Sequence, residues 1–86
     1  MRVRIPTPLR SYTDGAKVVD AEGTTIDELL VDLDRQFPGL RFRVVDEQGR
    51  LRTHMKVFVG MESVRDLGEP IDGLEEITLM QALSGG

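Results

Sequence analysis

Apolar and polar positions alternate at the two ends of the chain and switch to a helical rhythm between them. Val3 and Ile5 alternate with Arg2 and Arg4, the period-two pattern of a half-buried strand. Pro6 and Pro8 limit its length, because proline has no N–H to give to a ladder. Asp14-Gly15 signals a turn, and Lys17-Val18-Val19-Asp20-Ala21 predicts a second strand. Together these segments predict a hairpin with a long loop.

Glu22-Gly23-Thr24-Thr25 breaks the alternation. Thr24 or Thr25 is the expected helix N-cap, with Asp27 or Glu28 three residues on completing a capping box. Ile26, Leu29, Leu30, Leu33 and Phe37 then recur at helical spacing, and Asp27, Glu28, Asp32, Asp34 and Arg35 occupy the opposite face. Pro38-Gly39 ends the helix. Residues 40–54 predict only short irregular pieces around a turn at Asp46-Glu47-Gln48-Gly49. Met55-Lys56-Val57-Phe58-Val59 predicts a strand closed by Gly60, Ser63-Val64-Arg65 a short edge, and Glu75 to Leu83 the last strand.

The order is thus β-β-α-irregular-β-β. The first and last strands both carry apolar residues at period two, so both must be covered. One mixed sheet with one main helix across a face satisfies this, an α+β arrangement. The economical topology is the β-grasp of ubiquitin-like proteins, with the terminal strands parallel and central. The expected core is Val3, Ile5, Val19, Ile26, Leu29, Leu30, Leu33, Phe37, Val57, Val59, Ile77 and Leu79. The expected division is a domain over 1–83 and a short flexible tail over 84–86.

Composition narrows the chemistry. With 15 acidic and 11 basic residues the net charge is −4, which argues against a nucleic-acid partner, since that would call for a clustered basic surface. Cysteine is absent, which removes disulfides, thiolate nucleophiles and soft metal sites together and suits a cytosolic domain. The N-terminus lacks the long apolar stretch of a signal peptide, and no segment nears the ~20 apolar residues of a membrane span, so no membrane partner is expected.

The side chains offer no self-sufficient active site. His54 has no second histidine or cysteine beside it, so no metal is expected. Arg41, Arg43, Arg50 and Arg52 alternate with acids and lack a glycine-rich cradle for an anion. Ser11, Thr13 and Ser84 have no adjacent base. What remains is the end of the chain, Ser84-Gly85-Gly86, directly after the last strand. Diglycine fits a channel too narrow for a side chain. From Ala82 it reaches roughly 14 Å at about 3.5 Å per residue. It would present the Gly86 carboxylate to another protein. A carboxylate must be activated before it reacts, typically as an acyl-adenylate, and nothing here would bind the nucleotide.

Thr25-Ile26-Asp27-Glu28-Leu29-Leu30, Phe37-Pro38-Gly39, Lys56-Val57-Phe58-Val59-Gly60, the turn at Asp72-Gly73 and the terminal Gly85-Gly86 resemble the ThiS/MoaD superfamily of ubiquitin-like sulfur carriers, over essentially the whole chain. The start, Ile5-Pro6-Thr7-Pro8-Leu9-Arg10 with Thr13-Asp14-Gly15, is similar to actinobacterial carriers of a cysteine-forming pathway and, less closely, to molybdopterin-synthase small subunits. Gly60 and Leu74-Glu75 depart from the common pattern, and no proline precedes the tail.

The resemblance implies a sulfur carrier that is a co-substrate and not itself an enzyme. An E1-like enzyme would adenylate Gly86 with ATP and magnesium, a sulfur source would convert it to a thiocarboxylate, and a downstream synthase would accept the sulfur. A sulfurtransferase, or a metalloprotease that trims the tail, would complete the partner set. Docking is expected on the sheet face away from the helix, where strand alternation places Arg2, Arg4, Phe58, Thr78 and Met80, with Leu83 leading into the tail. Cysteine and another thio-metabolite both stand as end products. A ubiquitin-like covalent modifier and a binding module with an incidental tail are the competing functions.

Overall fold

Proline decides where the first strand stops. In the computed structural model, which describes residues 1–82, β1 spans Arg2–Arg4 and the chain then turns into a 3-10 helix at Thr7–Leu9. Leu9 closes under the sheet, fully buried. The Thr13 hydroxyl donates to the Ala16 carbonyl at 2.8 Å and fixes the loop that returns as β2 (Val18–Asp20), antiparallel to β1.

The main helix α1 spans Ile26–Gln36. Both threonines of its start are used. The Thr25 hydroxyl accepts from the Glu28 backbone N–H at 3.2 Å, while the Glu28 carboxylate accepts from the Thr24 N–H at 2.8 Å and the Thr24 hydroxyl at 2.7 Å. The box is therefore shared between two residues. The next donors also find partners: Ile26 N–H reaches the Glu69 carbonyl and Asp27 N–H the Leu67 carbonyl. Gly23 lies so close beneath this turn that a Cβ there would sit 2.5 Å from the Leu29 backbone nitrogen. Ile26, Leu29, Leu30 and Leu33 form the buried stripe.

Residues 40–54 are ordered, which corrects the expectation of irregular pieces. Gly39, at φ 97°, caps the start of a second short helix, α2 (Leu40–Val44), and the Asp34 carboxylate in the last turn of α1 accepts from the N–H groups of Gly39 and Arg41. Leu40 and Val44 are fully buried, and Val45 bridges to Leu51 around a turn in which Asp46 accepts from the N–H groups of Gln48 and Arg50. The Arg65 guanidinium then donates to the carbonyls of Leu51, Arg52 and Met55, clamping this turn to the sheet.

Three further strands complete the fold: β3 (Met55–Val59), the short β4 (Glu62–Val64) and β5 (Glu76–Gln81). The order is β2-β1-β5-β3-β4, with β1 and β5 parallel at the centre and the other pairs antiparallel. This is the β-grasp arrangement. Val19, Phe37 and Val59 are only half-buried, which corrects three members of the expected core. Val19 lies on an edge strand, Phe37 caps the end of α1, and Val59 ends β3. Their places are taken by Leu9, Ala21, Leu40, Val44, Val45, Leu51, Met55 and Ile71, mostly from loops and α2. Among the described residues no helix is long and apolar enough to cross a membrane.

Candidate functional site at the exit of the central strand

The helices cover one face of the sheet, and strand alternation leaves the other open. One cross-strand row on the open face runs Val18, Arg4, Thr78, Phe58, Ser63. The next row toward the strand's exit pairs Met80 with Lys56. The structure thus brings together Arg4, Thr78, Phe58 and Met80 of the expected docking face, while Arg2 lies one open-face row further back, in register with Glu76. Met80 is 44% exposed, Phe58 is half-buried and Arg4 is exposed. Leu83, Ser84, Gly85 and Gly86, the expected end of the docking surface and the reacting tail, lie outside the described residues, as does the boundary placed at 83.

A notch opens beside the exit because β1 is shorter than its neighbour. The last β1–β5 pair is Arg4 with Thr78, whereas β5 continues along β3 until Gln81 meets Met55. Pro6 cannot extend β1, so the side of β5 at Leu79 and Met80 faces a recess closed by Pro6, Thr7, Arg10 and Lys17. The Arg10 Nε–H donates to the Ile5 carbonyl at 3.0 Å, which orients its guanidinium at this recess. On the other side the Ala82 N–H donates to the His54 carbonyl at 2.7 Å, holding the chain at the centre of the sheet where it leaves β5. His54 is exposed in a turn.

Charge on this face is graded along β5. At the strand's start Asp20, Arg2 and Glu76 share a row, and Glu76 pairs with Arg4 at 3.0 Å and approaches Arg2 at 3.9 Å. At its end Arg10, Lys17 and Lys56 form no ion pair among the described residues, and no carboxylate lines the recess. Sequence reasoning did not single out Arg10, Lys17 or Lys56. They are distant in the chain and only the topology gathers them.

The arginines of 41–52 do not converge on a site. Arg41 pairs with Asp27 at 2.9 Å, Arg50 donates to the Gln48 side chain, and Arg52 stacks over the Phe42 ring at 4.7 Å from its centroid. The perturbed carboxylates are structural too. Glu28 is held below the usual carboxylate range by the Thr24 hydroxyl and N–H, Asp32 by Arg35 and the Glu22 N–H, and Asp46 by the N–H groups of Arg50 and Gln48.

A mixed sheet gripping one main helix, with its last strand central and leaving beside an apolar and cationic surface, defines a β-grasp protein of the ubiquitin-like class. The chain belongs to the ThiS family, whose model matches residues 3–86. It is 34% identical to a protein of Mycobacterium tuberculosis named sulfur carrier protein CysO, over 98% of this chain and 96% of that one. Among solved structures it matches a chain of the Amycolatopsis orientalis BexX/CysO complex with a TM-score of 0.89 at 34% identity, covering 99% of this chain and 98% of that chain. SAMP1 from Haloferax volcanii matches with a TM-score of 0.78 at 29% identity, covering 100% and 98%.

Proposed function

We propose that this protein is a sulfur carrier whose working group is the carboxylate of Gly86. The single observation that carries the reading is the end-to-end likeness to CysO, on a fold whose last strand is central and whose exit at Gln81 borders the open sheet face. The family match runs through Gly86 itself.

The chain acts as a co-substrate of partner enzymes in the cytosol. An E1-like enzyme holds ATP and magnesium. A Gly86 carboxylate oxygen attacks the α-phosphorus, pyrophosphate leaves, and an acyl-adenylate forms. Sulfide delivered by a sulfur source attacks the carbonyl carbon and AMP leaves, giving the thiocarboxylate. On a downstream synthase the thiocarboxylate sulfur displaces a leaving group from an electrophilic carbon of the acceptor, most simply to build cysteine, and water then cleaves the carbonyl–sulfur bond, releasing the thiol and restoring the Gly86 carboxylate. Assigning the nucleotide to the partner is supported by this chain's donor set. The described residues contain no group of three or more histidine, aspartate or glutamate side chains placed to hold a metal ion, and the sequence has no phosphate loop. Lack of cysteine leaves no thiol in the chain to intercept the activated carbonyl.

The likeness to SAMP1 favours a second reading, a covalent modifier that ends in an amide with a lysine amine. One reaction separates the two. The protein is incubated with an E1-like enzyme, ATP and isotopically labelled sulfide, and its intact mass is recorded. An AMP adduct followed by one oxygen-to-sulfur exchange supports the carrier. Adenylation with amide-linked conjugates and no sulfur uptake supports the modifier.

A further inference from the structure

The chain carries a net charge of −4, yet the part of the open face around the strand's exit is cationic. Arg10 and Lys17 border the recess beside Arg4, whose charge is paired with Glu76 at 3.0 Å, and Lys56 stands across β5 in register with Met80. Acids gather at the other end of the same face, where Asp20 and Glu76 share a row with Arg2. The Glu76 and Met80 rows are four residues apart on β5, about 13 Å at the usual rise of a strand. That exceeds the Debye length of about 8 Å at physiological ionic strength, so a partner meets the two ends as distinct surfaces. The apolar anchors Phe58 and Met80 lie within the cationic half.

Resting on the carrier reading above, we propose that the adenylating partner carries an acidic rim around the channel that receives the tail, and that Arg10, Lys17 and Lys56 recognise it. The net negative charge repels an acidic partner in most orientations. The cationic end reverses that only when the exit of β5 faces the channel. The charge gradient therefore selects the productive approach, and Phe58 and Met80 hold the complex once formed. Steering of this kind acts on the association rate more than on the dissociation rate.

The test is stopped-flow association with a purified E1-like adenylating enzyme across a salt series, paired with adenylation assays. The variants are Lys17→Glu, Lys56→Glu and their double, with Arg43→Glu on exposed α2 making the same charge change away from the open face. The expected result is an association rate lowered on the order of tenfold or more in the double variant at low salt, converging on the original protein as ionic strength rises. Dissociation and the rate at saturation stay unchanged, and Arg43→Glu matches the original. Equal association by the original protein and all four variants overturns the proposal. So does an unchanged association rate with a raised KM for ATP, which assigns the cations to nucleotide phosphates. If the unaltered protein binds but is never adenylated, the carrier reading fails with it, and that outcome is distinct from loss of steering alone.

Discussion

Met80 and Lys56 are register partners across β5 and β3, an exposed apolar side chain beside an exposed ammonium on the last β3–β5 pair of the open face before the strand leaves the sheet. Phe58 lies one row back, opposite Thr78. Interfaces favour apolar anchors of this kind framed by charge. Phe58→Ala and Met80→Ala are each expected to weaken binding to the adenylating enzyme by about tenfold or more, on the order of 1.4 kcal/mol. Isothermal titration and circular dichroism together check this. Weakened binding with an unchanged unfolding midpoint is the expected pair of results.

Gly23 is a packing glycine. An added methyl would meet backbone at 2.5 Å, which no side-chain motion can relieve. Gly23→Ala is expected to destabilise the fold by about 1–3 kcal/mol, the usual cost of overpacking. Gly39→Ala is expected to cost about 1–2 kcal/mol for a different reason, its φ of 97° and an added methyl that would sit 3.2 Å from the Tyr12 ring. Urea unfolding of both variants measures the two effects.

Arg65 makes three bonds to carbonyls from one guanidinium. Arg65→Ala is expected to cost about 1–3 kcal/mol. Arg65→Lys recovers little, since a single ammonium cannot span the fork. Hydrogen exchange is expected to rise first at residues 45–55.

Glu28, Asp32 and Asp46 are held below their ordinary range by hydrogen bonds that favour the charged form. The unfolded chain therefore binds more protons as the solution is acidified, and stability falls with pH. Their contribution is present in full above the unfolded range of about 4 and is lost as pH drops through the lowered folded values. The urea midpoint is expected to decline between about pH 5 and pH 2. Combining Glu28→Gln, Asp32→Asn and Asp46→Asn is expected to flatten that decline.

The helix α1 was legible because Ile26, Leu29, Leu30 and Leu33 repeat over three turns and two threonines mark the start. The parallel central pair was legible from alternation at both ends of the chain. The helix α2 was not, since five residues give one turn of periodicity and Arg41, Phe42 and Arg43 mask the Leu40 to Val44 spacing. Leu9 and Ile71 were missed because each is a single apolar residue within loop-forming sequence. Of the docking surface, Arg4, Phe58 and Met80 followed from strand alternation. Arg10, Lys17 and Lys56 did not, because the recess beside Met80 exists only where β1 stops short of β5.

The chemistry proposed for this protein resides in one group, the Gly86 carboxylate. The measurement that reaches it most directly is tandem mass spectrometry of the C-terminal peptide, taken from protein purified from its own cells during active sulfur assimilation. The expected result is a fraction of the peptide with one oxygen of the Gly86 carboxylate replaced by sulfur, shifted in mass by a thiol-alkylating reagent and absent when the adenylating enzyme is deleted. A C-terminal peptide found only as free carboxylate, or joined through Gly86 to lysine side chains of other proteins, would contradict it.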